Sequence, residues 1–353
     1  IELLSSITRA QIYSDYQSAK KYADQALQLA EKNNWNWARC LAYSRQGYLG
    51  TIRGDHRTAL EYDNKNVQIV LAQNDSSRLC IVYNEIGHDY VELGEYQQAY
   101  YYVTKSFEIA KKVKDHQSAG IAMHNLAVMY SKLGRMDLAL PNFESSSKLS
   151  AEGKDEDGPS YNDHELGNAY LREKKYKEAS QYLFSALSQS KNRGISILVP
   201  RVYQSIGDLH SSTGDHAKSL AYYDSAIRDF EKNENVFGVT ETQLGKAKVF
   251  LLQKKFKEAK DLAQACRKAA AELKAQILLS ECFEVLARCA EMQGDYRAAL
   301  TYNKQAQQTQ DSLANINVMS QVFENEFQMR SQKKDLELES LRNVREQSMS
   351  EIK

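Results

Sequence analysis

Three histidines, His88, His124 and His164, recur at intervals close to 40 residues, each within four positions of an amide: Asn84, Asn125 and Asn168. Imidazoles in such a series suit two chemistries, ligation of a transition metal or hydrogen bonding to a polar ligand. Ligation requires every nitrogen to lie about 2 Å from one ion. Elements one repeat apart pack roughly 8–10 Å from each other. The three histidines therefore do not converge on an ion, and no metal or other cofactor is expected. Amides carry donors and an acceptor together, which suits the backbone of a bound peptide. The five cysteines, Cys40, Cys80, Cys266, Cys282 and Cys289, show no metal-ligand spacing. Cys282 and Cys289 lie on one predicted helix about 10 Å apart along its axis, too far for a disulfide. All five read as small packing residues, and their odd number leans against an oxidising compartment. No phosphate loop, nucleophile elbow or HExxH motif is present, so no catalytic residue is assigned and no enzyme is expected. Glu337 and Glu339 belong to a charged helix and read as solvated.

The composition limits the partners. The 353 residues carry 46 Lys+Arg against 46 Asp+Glu. A nucleic-acid partner needs a basic surplus, and there is none. With 42% apolar residues the chain is not a solvated, disordered polymer. Only 3 prolines and 16 glycines against 22 tyrosines indicate an all-α protein. No run of 18 apolar residues spans a membrane within the segment. The absence of an initiator Met at Ile1 suggests a start made by cutting.

The elements that position these residues follow from self-similarity. A small residue returns every 40 positions: Ala19, Ala59, Ala99, Ala139, Ala179, Ser219, Ala259 and Ala299. Twelve positions before the last seven of them stand Gly47, Gly87, Ala127, Gly167, Gly207, Ala247 and Ala287. Three positions on, Tyr90, Tyr130, Tyr170, His210 and Phe250 fill a third column. The pattern implies two antiparallel helices per unit, A and B, approaching closely at the small residues, with an aromatic beside the contact. Between them, turns such as Gly94-Glu95 and Gly214-Asp215 stop one helix and start the next. Lys174 and Lys254 take the glycine's place in two copies. Tyr22, Tyr62, Tyr102, Tyr182, Tyr222 and Tyr302 form a helix-B column that reads as packing. The cluster 151–159 is expected to end helix B of the fourth copy early, to restart helix A near Pro159 or Ser160, and to permit a hinge between copies 1–4 and 5–8. Pro141 falls in the first turns of a B helix, and Pro200 near the start of an A helix.

This motif resembles the tetratricopeptide repeat over residues 1–313, with about eight units of 40 residues where the standard unit has 34. The resemblance implies an all-α right-handed superhelix, one cooperative array lined on its concave side by the A helices. Groove positions carried over from it are Tyr48, Asn84, His88, His124 and Asn125, continuing with His164, Asn168, Gln204 and Asp208. The Lys and Asn set of chaperone carboxylate clamps is not found in one pair of copies.

Residues 314–353 leave the 40-residue register. Their first half reads as a cap for the open end of the array, and the second half, around Lys333-Lys334-Asp335-Leu336, as a charged helix suited to homodimeric pairing. Together with Phe323-Glu324-Asn325-Glu326-Phe327, this stretch resembles the junction in bacterial membrane-anchored signalling proteins. In these, a tetratricopeptide array precedes a membrane span and a histidine kinase or transcriptional regulator. The resemblance implies a non-catalytic sensor that binds a peptide or protein in its groove and relays through the last helix, on the periplasmic side or alternatively in the cytoplasm. A stand-alone scaffold and a quorum-sensing peptide regulator are the alternatives.

Overall fold

The computed structural model describes residues 1–12 and 15–310. The A helices are α1 (Glu2–Gln11), α3 (Asn36–Ile52), α5 (Ser76–Leu93), α7 (His116–Lys132), α9 (Gly158–Arg172), α11 (Leu198–Ser212), α13 (Val236–Leu252) and α15 (Gln276–Met292). The B helices are α2 (Tyr16–Asn33), α4 (His56–Ala72), α6 (Tyr96–Val113), α8 (Met136–Glu152), α10 (Tyr176–Arg193), α12 (His216–Lys232) and α14 (Phe256–Glu272). A last B helix occupies 296–310. No strand occurs among the described residues. Each helix packs on its chain neighbours, and successive A helices touch, as α5 does α7 and α11 does α13. The result is a superhelical solenoid.

The small column is the seam of this stack. Ala19, Ala59, Ala99, Ala139, Ala179, Ser219 and Ala259 are fully buried. Each glycine of the facing column receives the side chain 16 positions on. A Cβ on Gly87 would lie 2.4 Å from Val103, one on Gly167 2.6 Å from Leu183, and one on Gly207 2.5 Å from Tyr223. Aromatic rings close the gap beside the seam: Tyr90 stacks on Tyr102 at 5.7 Å, Tyr170 on Tyr182 at 5.5 Å and His210 on Tyr222 at 5.5 Å.

The helix stops follow a finer period than the repeat. A left-handed residue closes each of α2 to α15 at intervals of 20: Asn34, Gly54, Asn74, Gly94, Lys114, Gly134 and Lys154, then Lys174, Gly194, Gly214, Glu234, Lys254, Lys274 and Gly294. Asp55, Asp75, Asp115, Asp215 and Asn235, one position later, accept a hydrogen bond from the third N–H of the next helix. Both turns of the unit are thus built alike. A left-handed non-glycine costs roughly 1 kcal/mol, so Glu234→Gly is expected to raise the urea midpoint slightly, while Gly214→Ala, at φ +84°, lowers it.

The break at 151–159 differs from the sequence expectation. α8 keeps 17 residues, the length of α4 and α12, and Pro141 sits inside it. The missing residues come from α9, which has 15 and starts at Gly158 with Pro159 in its first turn. The reason is that the left-handed Lys154 keeps the 20-residue beat, so helix B stops on time and helix A starts late. α11 is shortened in the same way, with Pro200 in its first turn. The expected cap and pairing helix at 314–353 lie outside the described residues.

Candidate functional site

The concave side holds a cavity of roughly 440 Å³ walled by α3, α5, α7, α9 and α11. Curvature brings distant copies together around it. Asn235, at the start of α13, donates from Nδ2 to the Ile52 carbonyl 2.8 Å away, 183 residues back in the chain. The Phe237 ring meets His56 edge-on at 6.3 Å, Gln17 hydrogen-bonds Glu234, and Ile197 packs on Ile12, Tyr16, Leu49 and Ile52. The second and seventh copies therefore touch, and the groove narrows to a half-open chamber.

Six of the predicted groove residues, Tyr48, Asn84, His88, His124, Asn125 and His164, border the cavity. Asn168 lies behind His164, donating to its Nε2 at 3.2 Å. Gln204 and Asp208 lie further along α11, and Asp208 accepts from the Tyr223 hydroxyl at 2.5 Å. Several polar groups of the wall hold A helices together. Asn84 Nδ2 donates to the Ser118 carbonyl at 2.9 Å, and Asn125 Nδ2 to the Asn84 carbonyl at 3.3 Å. His124 Nδ1 meets Asn162 Oδ1 at 2.6 Å, and His164 Nε2 meets Ser205 Oγ at 3.0 Å. Burial lowers the His124 pKa, which favours its neutral form.

Two features of the chamber are absent from the sequence expectation. One is an apolar column on the exposed flank of the A helices: Ile81 is 46% exposed and Ile121 38%, with Tyr161 next in register. The column ends in charge at Arg201, Glu241 and Glu281. The other is an ionic knot. Glu92 receives Lys132 Nζ at 3.1 Å and faces Arg201 at 4.0 Å, linking α5 to α7 and to α11. Burial opposes the charge on Glu92, but Lys132 and Arg201 together hold its carboxyl well below the usual range. Reading the columns one by one finds Ile81 and Ile121, because apolar residues at a groove position break the polar pattern. The knot has no such signal.

Acceptors outnumber donors at the α4–α5 end. Asp63 Oδ1, Asn84 Oδ1, Glu85 Oε2 and Asp89 Oδ2 are buried without a hydrogen-bond partner. Burial, with the charge of Asp89 adding to it, pushes Glu85 up to about 7. Burial pushes Asp208 up to about 6, with the bond from Tyr223 opposing. Unfolded carboxyls titrate near 4 (roughly 3.9–4.3). The folded state therefore holds extra protons between about pH 4 and 7, and the stability these two groups contribute is lost as pH rises through that window. Glu85→Gln is expected to flatten the urea midpoint between pH 5.5 and 8 relative to the parent. That difference isolates the carboxyl from His124, which acts in the opposite sense.

Tetratricopeptide repeat models match residues 77–152 and 200–228, and the helix pairs described above are tetratricopeptide repeats. No curated protein sequence matches the chain. Among solved structures, a Rap protein complexed with Competence and Sporulation Factor superposes with a TM-score of 0.70 at 12% identity, over 88% of this chain and 84% of that one. The Rap conjugation gene regulator of plasmid pLS20 in complex with the Phr* peptide gives 0.65 at 15% identity, over 81% and 78%. NprR in complex with its cognate peptide NprX gives 0.62 at 20% identity, over 85% and 86%. At these identities the shared property is the fold.

Proposed function

We propose that this chain is a non-catalytic sensor module that binds a short peptide in the chamber between α3 and α11. The observation that carries the reading is the column of exposed Ile81 and Ile121, with half-buried Tyr161 next in register, lining a half-open cavity in the groove. Apolar side chains of an extended ligand fit such a column, while the flanking polar groups fix its orientation. The likeness to structures solved with Competence and Sporulation Factor, Phr* and NprX supports the same reading, and favours a peptide-sensing regulator over a stand-alone scaffold. In its finer form, ligand occupancy is passed through residues 314–353 to an output domain of kinase or transcriptional-regulator type.

The test uses a pool of synthetic random heptapeptides over the immobilised chain, with retained peptides identified by mass spectrometry. The parent should enrich a defined set with shared apolar positions. Ile81→Asp with Ile121→Asp should lose at least 100-fold in affinity, since each lost apolar contact is worth roughly 1–3 kcal/mol before the inserted charge is counted. Both side chains are exposed, so the double variant should keep the parent's circular dichroism and melting. Equal enrichment by parent and variant would remove the chamber as the binding site.

A further inference from the structure

We propose that His56, His88 and Asp89 form a binding site for one divalent transition-metal ion of the zinc class, set into the wall of the chamber. This site is independent of the peptide reading, because all its ligands belong to the chain.

The repeat itself marks Asp89 as anomalous and His56 as unusual. The position of Asp89 is occupied by Arg9 in the short first helix and, in the six other copies, by Leu49, Met129, Ala169, Leu209, Val249 and Cys289, all apolar. Asp89 alone puts a carboxylate there, at 0% exposure. The position of His56 is Tyr16, Tyr96, Met136, Tyr176, Phe256 and Tyr296 elsewhere, with histidine again only at His216. His56 is nevertheless 4% exposed. A core column that gives up an apolar residue for a buried carboxylate loses packing and incurs desolvation. Local rules broken in adjacent copies and meeting at one point in space are the mark of a functional site.

The geometry fits an ion. One ligand atom from each residue lies within 4.8 Å of the others, and no other such group exists among the described residues. His56 Nδ1 is 2.8 Å from Asp89 Oδ1, and His88 Nδ1 is 3.6 Å from the same oxygen. Bonds of about 2.0–2.2 Å in a tetrahedron put ligand atoms about 3.4 Å apart, so small rotations of the two imidazoles suffice. Asp89 Oδ2 is buried and has no hydrogen-bond partner, and Thr51 Oγ1 donates to Oδ1 at 3.2 Å, orienting the carboxylate. Two imidazoles and one carboxylate select zinc, nickel or copper over magnesium and calcium. His88 and Thr51 border the chamber, which gives an ion a path to the site. The histidine series His88, His124 and His164 is not the ligand set. His88 instead meets a histidine of the preceding copy.

The experiment titrates the metal-free full chain with zinc by calorimetry and with cobalt(II) by visible absorption. The expected result is one saturable equivalent, with cobalt giving the intense bands of a four- or five-coordinate ion. His88→Ala should weaken zinc binding at least 10-fold while leaving the melting temperature of the metal-free chain nearly unchanged, because His88 lies at the cavity edge. Asp89→Asn should abolish the cobalt bands, and His116→Ala, at an exposed His–Glu pair, should change neither. No saturable uptake, or uptake indifferent to His88→Ala and Asp89→Asn, would overturn the assignment.

Discussion

Gly207→Val is expected to cost about 3 kcal/mol or somewhat more, the upper end of what overpacking a core produces. The added Cβ alone would stand 2.5 Å from Tyr223 Cε1 and 2.6 Å from Cδ1. The tyrosine has no room to retreat. It is 1% exposed, its hydroxyl is held by Asp208 at 2.5 Å, and its far edge lies against Gly245, where a Cβ would meet Cζ at 3.0 Å. One ring is thus wedged between α11 and α13, and a valine on either side opens both interfaces. Stability in a solenoid is a sum over neighbouring units, so the loss at the sixth copy weakens its neighbours as well. The urea midpoint checks the value. Gly207→Ala combined with Tyr223→Ala should recover part of it, because Ala247 and Ala263 occupy the equivalent pair of positions in the next copy, both fully buried. A double variant no better than the single would show that the clash is not the cause.

The same pairing shows why so much of the fold is legible in the sequence. Two helices that cross at a small residue need it in every copy, so Gly47, Gly87, Ala127, Gly167 and Gly207 repeat. Where the column carries alanine, the seam still closes, with Phe143 opposite Ala127 and Ala263 opposite Ala247. The half-period is hidden because the left-handed stop is a backbone condition. Asn34, Lys114 and Glu234 satisfy it as Gly94 does, and no residue type advertises it. The chamber is hidden for a different reason. Small rotations per repeat accumulate until Asn235 meets Ile52, and no local pattern encodes that sum. Groove positions carried from the repeat motif therefore reach the cavity wall in copies two to five, at Tyr48, Asn84, His124 and His164. The same positions do not reveal that Asn84 and Asn125 bond the backbone of neighbouring A helices. His56 and Asp89 escape notice because each is ordinary alone. Only the apolar column that Asp89 interrupts marks it.

Removing the carboxylate of Glu92 should have the other large effect, because it ties α5 to both α7 and α11. Glu92 is 16% exposed, Lys132 27% and Arg201 34%. Breaking a fully buried pair costs roughly 3–5 kcal/mol, so partial exposure here places Glu92→Ala nearer 2–3 kcal/mol. Most of that penalty comes from the two cations left without their shared counter-charge. A chain carrying Glu92→Ala with Lys132→Met and Arg201→Leu should accordingly regain most of the stability. The pH dependence has a definite sign. The folded carboxyl titrates well below the unfolded value near 4. Its contribution is therefore complete at neutral pH and is lost only as pH falls through that depressed value. Glu92→Ala should differ from the parent by a constant amount between pH 5 and 8, where Glu85→Gln does not. The Arg201 arm crosses the groove from the sixth copy to the third, alongside the Asn235–Ile52 contact that joins the seventh to the second. Loss of the knot should consequently open the chamber, seen as a larger radius of gyration in solution scattering while the helical content stays unchanged. A triple variant as unstable as Glu92→Ala would mean that the cations are not stranded, and that Glu92 supports the wall through packing alone.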